Sequence, residues 1–445
     1  MSDQVKVQPI SGFPEWLPNF RLAEQRLIAT IREQYELFGF SPIETAAVER
    51  IEVLTAKGGM QRQIYTIGRP EEDQEDSVVG LGLHFDLTVP LARYVVQHAE
   101  ELTFPFRRYQ IQKVWRGERP QRGRFREFYQ CDVDIVGRGS LDLLHDAEMP
   151  CAINATLEAL GLSDFQVHVS NRQVLAALLA TLAVPESAGG AVLREIDKSD
   201  KRTPEETRQG LIALGLESSA VETLFELKRC ATVVDARRLF ERIGAPTGAL
   251  EELQTVIDRA VALGMPPARI RANFAVARGL DYYTGTVYET FVLGKENWGS
   301  ICSGGRYEDL ASHFTTQKYP GVGVSIGLSR LFSLLIDAGV LSTSSQSPTR
   351  VMVAMQDRKN FLDRYLELGS GLRAASIPCE VYMEPHALRD QIGYASAKGI
   401  PYLVIAGGRE FDSQTVLVKD LERRTQETVP ASDLISYLQQ RLAPA

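Results

Sequence analysis

Hydrophobic and polar residues recur with two different periods along the chain, and each period predicts a different element. Residues 18–38 carry apolar side chains at helical spacing up to Gly39, which predicts a long amphipathic helix. Residues 107–116 and 127–136 instead carry apolar side chains at every second position, the period of a β-strand. We therefore expect two strands joined by the loop 119–126, a hairpin with one buried face and one presented face.

Weaker patterns extend this assignment over the rest of the chain. Further strands are predicted at 83–89, 164–170, 271–292, 299–301 and 321–327, and a helix at 146–160. Residues 173–266 are dominated by Leu, Ala, Glu and Arg, which predicts a block of helices between two strand-rich regions. After the Ser- and Pro-containing stretch 341–349, strands predicted at 351–355, 379–383, 402–406 and 415–419 alternate with helical segments.

These patterns predict an α/β fold class, with a core of α+β type and more than one domain. The core is interrupted by an inserted helical domain and followed by a linker and a small α/β domain. The expected limits are 1–172 and 267–340 for the two parts of the core, 173–266 for the insertion, 341–349 for the linker and 350–445 for the last domain.

Composition narrows the class of protein. A chain of 445 residues with 44% hydrophobic and 24% charged residues is typical of a globular protein. The N-terminus has no apolar leader and no apolar run reaches membrane-spanning length, so we expect a cytoplasmic protein without a membrane partner. The five cysteines are odd in number and widely spaced, which predicts reduced thiols and no dedicated metal site.

Charge is concentrated in one segment. The net charge of −8 argues against indiscriminate nucleic-acid binding, yet residues 107–126 hold eight Lys/Arg and one Glu. Fixed cations on a rigid sheet suit a compact, highly charged ligand, and a polyphosphate fits best. Arg116, Glu118 and Phe128 share one strand parity, so they can bind a phosphate, an exocyclic amine and the face of a base. The alternative is that Arg116 and Glu118 are an ordinary surface pair.

Three other segments have both a functional and a structural interpretation. The glycines at 321–327 are not spaced as a dinucleotide fingerprint, and no Walker loop is present. We interpret them as a strand that delivers Arg330 at the start of a helix, and a tightly packed core strand is the alternative. Residues 278–289 combine Arg, Asp and tyrosines, or form an ordinary aromatic strand. Residues 303–310 are a second candidate site peptide, or a Gly-Gly turn before a helix.

Taken together, these motifs resemble those of a class II aminoacyl-tRNA synthetase, and specifically of the histidyl-tRNA synthetase family. The hairpin is similar to class II motif 2, and the residues around Arg330 are similar to motif 3. Residues 278–289 and 303–310 resemble the two peptides that distinguish the histidyl family, and residues 86–94 resemble its amino-acid-binding strand. The resemblance covers nearly the whole chain and implies an antiparallel catalytic sheet flanked by helices, with a C-terminal α/β anticodon-binding domain.

The family resemblance also implies a role for each matching residue. In the ATP site, Arg116 holds the α-phosphate, Glu118 the adenine amine and Arg124 the γ-phosphate, while Phe128 and Arg330 sandwich the ring. Histidine binding is implied for Asp86, Thr88, Arg116, Gln130, Asp134, Arg278, Tyr282 and Tyr283. Within that set, Asp134 and Tyr283 contact the imidazole, and Arg116 with Arg278 act as the catalytic cations at the α-phosphate.

The resemblance further implies the substrates ATP, L-histidine and tRNA(His), Mg²⁺ carried by ATP, and a homodimer. Ala46 stands where the family's motif 1 usually has a proline, which is a departure at the segment that builds the dimer. Two other functions use the same core. One is a catalytically silent regulatory subunit of ATP phosphoribosyltransferase, which usually lacks the C-terminal domain, and the other is a sensor of uncharged tRNA. The C-terminal region and the arginines at 116, 124, 278 and 330 argue against both.

Overall fold

The computed structural model describes residues 7–56, 63–68, 80–121, 123–198, 202–276, 283–308, 311–341 and 343–442. It divides into two compact units. Unit 1 comprises Met1–Pro14 and Leu27–Val340, and unit 2 comprises Glu15–Arg26 and Leu341–Ala445. In the described part of the chain, no helix combines the length and the apolar character needed to cross a bilayer.

The first third of the chain contains the predicted hairpin. In chain order its elements are α1 (Pro18–Leu37), β1 (Ser41–Pro42), β2 (Val48–Arg50), α2 (Ile51–Thr55), β3 (Leu81–Leu83), α3 (Thr88–Gln97), β4 (Phe106–Trp115), β5 (Glu127–Val136), α4 (Leu144–Ala159) and β6 (Phe165–Asn171). The helix predicted at 18–38 and the two hairpin strands are confirmed. The strand predicted at 83–89 is wrong, because the chain turns after β3 and Asp86 accepts a hydrogen bond from the Val89 N–H at the start of α3.

Helices dominate the next region, as predicted. They are α5 (Arg172–Thr181), α6 (Glu186–Lys198), α7 (Pro204–Ala213), α8 (Ser218–Arg229), α9 (Val233–Ile243) and α10 (Gly248–Ala262). Local signals set their ends: Thr203 and Glu206 cap the start of α7 reciprocally, and Gly244 ends α9 with a φ of 71°. The helical region therefore starts directly after β6.

The chain then returns to the sheet of unit 1. The remaining elements are β7 (Ile270–Ala272), β8 (Thr286–Val292), β9 (Cys302–Tyr307), β10 (Gly321–Gly327) and α11 (Leu328–Asp337). The eight strands lie in the order β1-β4-β5-β10-β9-β8-β6-β7, antiparallel except for the parallel pairs at the two edges. A second, two-stranded sheet pairs β2 with β3. The helix-flanked antiparallel sheet confirms the expected fold class.

The hairpin differs from its prediction in one respect, because β5 is buried on both faces. Cys131, Val133 and Ile135 are fully buried on one face, but Asp132 and Asp134 on the other face are only 2% and 3% exposed. The segment before α3 lies against this second face. The face that the sequence predicts to be presented to a ligand is therefore the wall of an enclosed site.

The alternative of a Gly-Gly turn at 303–310 is wrong over its described part, where Ser303–Tyr307 belong to β9. The two glycines are needed because neighbouring strands pack closely there. A Cβ atom on Gly304 would lie 2.1 Å from the carbonyl oxygen of Gly323. Glycine at this position therefore serves the packing of β9 against β10.

Unit 2 is built on a five-stranded sheet with helices. Its elements are β11 (Val351–Met355), α12 (Arg358–Ala374), β12 (Cys379–Val381), α13 (Leu388–Ala397), β13 (Tyr402–Ala406), α14 (Gly408–Asp412), β14 (Thr415–Asp420), β15 (Thr425–Pro430) and α15 (Leu434–Leu442). The strand order is β12-β11-β13-β14-β15, with β11, β12 and β13 parallel. The four predicted strands are confirmed. Strand β15 escaped prediction because it is a polar edge strand whose residues, except Val429, are exposed.

Candidate active site

A cavity of about 250 Å³ opens on the sheet of unit 1. Strands β5, β9 and β10, the connection that follows β4, and the starts of α3 and α11 contribute its walls. Nine of the residues predicted from the sequence line it: Asp86, Thr88, Arg116, Glu118, Arg124, Phe128, Gln130, Tyr283 and Arg330. Residues more than 240 positions apart in the chain thus meet in one site because β5 pairs with β10.

Arg116, directly after β4, lines the cavity and is held in position by several contacts. Its Nε donates to the carbonyl oxygen of Phe85 at 2.9 Å, and one terminal nitrogen lies 3.3 Å from Oε1 of Gln130. The guanidinium carbon lies 5.1 Å from the centroid of the Phe128 ring, within cation–π distance. The predicted common face of Arg116 and Phe128 is therefore confirmed, and the cation is oriented before any ligand binds.

Two further cations lie on the same side of the cavity. Arg124 is 59% exposed and pairs with Glu118 at 3.4 Å, whereas Arg330 is half-buried and donates to the carbonyl oxygens of Trp298 and Ser300. Burial, and then the neighbouring Arg124 cation, lower the pKa of Arg330 from its usual range. An anion placed between these arginines would relieve both effects, so this side of the cavity suits phosphate groups.

The glycines of β10 serve two different purposes. A Cβ on Gly321 would lie 2.4 Å from the Tyr307 ring, and a Cβ on Gly323 would lie 2.0 Å from Oδ1 of Asp134. These two glycines support the interpretation of a tightly packed strand. Gly327 lines the cavity, and a Cβ there would meet nothing within 4 Å. Strand β10 ends there and α11 begins, so the expectation that this strand delivers Arg330 at a helix start is confirmed.

The other side of the cavity is anionic and buried. Asp86 is 1% exposed, and burial raises its pKa to about 6. Its Oδ1 accepts from the Val89 N–H at 3.1 Å, while its Oδ2 has no hydrogen-bond partner among the described residues. Gln130 donates to the Ser325 hydroxyl at 2.6 Å. A cationic group of a ligand would satisfy the free carboxylate oxygen.

Asp134 is the predicted site residue that the described lining of the cavity does not include. Its carboxylate is 2.5 Å from a terminal nitrogen of the fully buried Arg108 and accepts a hydrogen bond from the Tyr307 hydroxyl at 3.1 Å. Burial raises the pKa of Asp134 to about 7, although the Arg108 cation acts in the opposite direction. Tyr283, its predicted partner at the imidazole, does line the cavity.

Sequence reasoning missed several residues of the site. Asp132 and Ser325 line the cavity, and Arg108 pairs with Asp134 on the same face of the sheet. Asp132 and Arg108 share the even parity of the predicted site face, which was the available signal. Arg278 and Tyr282 lie outside the described residues, so their predicted roles stay predictions.

Arg306, in the second histidyl-like peptide, is a structural residue in this arrangement. Its guanidinium lies 2.9 Å from a carboxylate oxygen of the buried Asp146 and donates to the carbonyl oxygens of Leu141 and Asp142. It thereby ties strand β9 to the start of α4. The described residues contain no group of three or more His, Cys, Asp or Glu placed to hold a metal ion.

In unit 2, three polar residues on or directly after α13, Arg389, Tyr394 and Lys398, have different surroundings. Tyr394 donates to Glu380 at 2.5 Å, and Lys398 pairs with the other oxygen of the same carboxylate at 2.8 Å. Arg389 is exposed at the start of α13. Tyr394 and Lys398 are therefore engaged within the unit, and Arg389 has the environment of a solvated helix residue.

Comparison with known proteins gives consistent matches to both regions. The profile of the family described as histidyl-tRNA synthetase matches residues 12–331, and that of an anticodon binding domain matches residues 350–441. Histidine–tRNA ligase of Xanthomonas campestris pv. campestris (strain 8004) is 43% identical over 99% of this chain and 98% of its own length. Histidyl-tRNA synthetase from Nostoc sp. PCC 7120 superposes with a TM-score of 0.89 at 38% identity, over 99% of this chain and 100% of that one.

A more distant structural neighbour bears on the alternative function. An ATP phosphoribosyltransferase regulatory subunit/histidyl-tRNA synthetase from Bacillus halodurans C superposes with a TM-score of 0.74 at 20% identity, over 91% of this chain and 100% of that one. At this level of identity, the likeness shows a shared fold alone.

Proposed function

Because the chain belongs to the histidyl-tRNA synthetase family, we propose that it is an ATP-dependent, AMP-forming ligase that joins L-histidine to tRNA(His). The observation that carries this proposal is the cavity itself. Three arginines on one side suit a triphosphate, and a buried carboxylate with a free oxygen on the other side suits an amino acid. Activation of a carboxylate by ATP requires both ligands side by side.

ATP occupies the arginine side of the cavity in this proposal. Phe128 and Arg330 hold the adenine ring between them, and Glu118 accepts from its exocyclic amine. Arg124, exposed at the cavity mouth, binds the γ-phosphate, and Arg116 binds the α-phosphate. This assignment is supported by the contacts of Arg116 with the Phe128 ring on one side and with the Gln130 amide oxygen on the other.

The first step is attack of the histidine carboxylate on the α-phosphorus of ATP. A bond forms between a carboxylate oxygen and phosphorus, the bond to the bridging oxygen breaks, and diphosphate leaves. The carboxylate is already ionised, so the enzyme supplies position and positive charge rather than a general base. Arg116 provides the first cation, and we assign the second to Arg278 on the family resemblance.

Histidine is bound by Asp86, Thr88 and Gln130 at its amino end, and by Asp134 and Tyr283 at its ring, with Tyr282 as a further contact. Buried acceptors matched to the ring N–H groups give strong discrimination, because a ligand without those groups leaves the acceptors unpaired. The pair of Asp134 with Arg108 fixes the orientation of the Asp134 carboxylate.

Mg²⁺ fits this site as an ion that enters on ATP. Phosphate oxygens of ATP and water would hold the ion, because Glu118, the lining carboxylate outside the amino-acid side, is assigned to the adenine amine. When bound, the ion neutralises charge on the departing diphosphate. Arg116 and Arg124 hold the phosphate chain in line for the displacement.

In the second step, a hydroxyl of the terminal ribose of tRNA(His) attacks the carbonyl carbon of histidyl-adenylate, and AMP leaves. We assign tRNA binding to the anticodon-binding domain at 350–445 and to the connection 119–126 near the acceptor end. We also propose the domain limits expected from the sequence. They are 1–172 and 267–340 for the two parts of the core, 173–266 for the helical insertion and 341–349 for the linker.

We further propose a homodimer in the cytoplasm. Its support is the family's use of motif 1 for dimerisation, together with exposed apolar side chains in and near that segment. Leu37 is 77% exposed, Val48 40% and Leu81 44%. Analytical ultracentrifugation at micromolar concentration tests it, and a sedimentation coefficient of a 49.4 kDa monomer would contradict it.

The experiment that tests the proposed function is ATP–pyrophosphate exchange by the purified chain with each amino acid in turn. Exchange with histidine alone is expected, followed by charging of tRNA(His) transcripts. Histidine binding without exchange would overturn the ligase proposal and favour the regulatory-subunit alternative. That alternative is disfavoured because the chain carries the C-terminal domain and a cavity with the arginines at 116, 124 and 330.

A further inference from the structure

We propose that Asp132 binds the α-ammonium group of the amino-acid substrate together with Asp86, an inference that rests on the function proposed above. Asp132 lies in the middle of β5, opposite Gln110 on β4 and Ser325 on β10. It lines the cavity and is 2% exposed. Neither the strand pattern nor the family motifs predicted a role for Asp132.

The unpaired oxygens of two carboxylates identify the chemistry of the ligand. Oδ1 of Asp132 and Oδ2 of Asp86 are buried, and neither has a hydrogen-bond partner within the described chain. Asp132 is hydrogen-bonded to the Ser325 hydroxyl, and Asp86 accepts from the Val89 N–H through its Oδ1. A buried acceptor without a donor is costly, so these two oxygens are positioned for a donor that arrives with a ligand.

The balance of charge favours an ammonium group over a neutral ring. Three buried carboxylates, Asp86, Asp132 and Asp134, act on one another, and the cations that act on them are Arg108 and Arg116. With all groups ionised, this cluster is one positive charge short. The uncharged imidazole of histidine would not supply that charge, whereas its α-ammonium group does.

The count of hydrogen bonds leads to the same group. An ammonium has three N–H donors, which match Asp86, Asp132 and one more acceptor of the lining, such as the Thr88 hydroxyl. Gln130 already receives Arg116 on its oxygen and donates its amide to Ser325. Besides its proposed contact with the amino end of histidine, Gln130 therefore orients Ser325, which in turn orients Asp132.

The test uses Asp132→Asn, which keeps the size of the side chain and removes its charge. Exchange kinetics give KM for histidine and for ATP, and inhibition constants are measured for histidinol, which keeps the amine, and imidazolepropionate, which lacks it. We expect KM for histidine and the histidinol constant to rise about 10- to 100-fold, the range for a hydrogen bond to a charged group. The imidazolepropionate constant and KM for ATP should stay within about threefold of wild type.

Asp164→Asn, at an exposed position of unit 1, is the matched control and should leave all four constants unchanged. An equal loss for both inhibitors would place the imidazole at Asp132 and overturn the inference. No loss for either would show that Asp132 is a structural residue. Asp132→Ser repeats the comparison if the Asn variant does not fold. Wild-type exchange with histidine tests the proposed function separately, because that function can hold while the analogue profile fails.

Discussion

The two units of this protein bury polar side chains in opposite ways. In unit 2, Gln391 is fully buried, and its amide bonds to both the N–H and the carbonyl oxygen of Met355 on strand β11. In unit 1, Asp86 and Asp132 are equally buried, but each keeps one oxygen without a partner among the described residues. A satisfied buried group stabilises a fold, whereas an unsatisfied group that lines a cavity marks a place for a ligand.

The comparison predicts the largest loss of activity when the ligand site of unit 1 loses a cation. Arg116→Ala should lower kcat/KM for histidine-dependent pyrophosphate exchange about a thousandfold, because a preoriented charge at the α-phosphate is removed. Stability should also fall, but by less than activity, because the variant loses the hydrogen bonds to the Phe85 carbonyl and Gln130 and the contact with the Phe128 ring. Arg238→Gln on α9, whose side chain is 76% exposed, is the control. Exchange within tenfold of wild type would contradict the assigned role.

A packing change in the same sheet should act on stability instead. Gly323→Ala places a Cβ 2.0 Å from Oδ1 of Asp134 and 2.6 Å from the carbonyl oxygen of Val133, so β5 and β10 must separate. We expect a loss of about 3 kcal/mol in the free energy of unfolding, measured by urea denaturation. Gly327→Ala in the same strand meets open space and should cost less than about 1 kcal/mol. Equal losses in both variants would disprove the close packing at Gly323.

Removing the satisfied polar group of unit 2 tests the other half of the comparison. Gln391→Leu leaves the N–H and carbonyl of Met355 without their side-chain partner, which should destabilise unit 2 by about 2 kcal/mol. Hydrogen exchange at β11 measures this loss, and pyrophosphate exchange should be unchanged. Lys398→Met removes a partly exposed ion pair and should cost under about 1 kcal/mol. A loss of adenylation in Gln391→Leu would mean that the residue has a role beyond stability.

Asp86→Asn should stabilise the protein, whereas the two preceding changes destabilise it. Burial raises the pKa of Asp86 from 3.8 to about 6, so the folded protein holds this proton more tightly than the unfolded chain. The ionised group therefore reduces stability progressively as the pH rises from about 4 to about 6. The Asn variant should match wild type near pH 4 and exceed it by about 2 kcal/mol at pH 7.5, while histidine binding is lost. Urea denaturation across this pH range measures the free energy of unfolding of both proteins. A difference between them that is independent of pH would rule out ionisation as the cause.

The sequence predicted the strands that form the site better than the buried polar contacts inside it. Strand parity placed Arg116 and Phe128 on one face because both lie near the turn of a local hairpin. The role of Asp132 was not visible, because it depends on which oxygens remain unpaired after a distant strand supplies Ser325. The strand predicted at 83–89 was wrong because these residues turn from β3 into α3 while they are almost all buried, and consecutive buried residues give the same apolar pattern as a strand. Strand β15 failed because polar edge strands lack the apolar period.

The strand order also has a consequence for synthesis of the protein. Strand β10 lies between β5 and β9 in the sheet, yet residues 137–320 separate it from β5 in the chain. At about 5–20 residues per second, the ribosome needs on the order of ten seconds or more to add that length. Throughout this interval the edge of β5 that later pairs with β10 has no neighbouring strand, so the nascent chain exposes unpaired backbone groups. Newly made chains of this protein are therefore expected to need chaperone protection until the strand that completes the active site emerges.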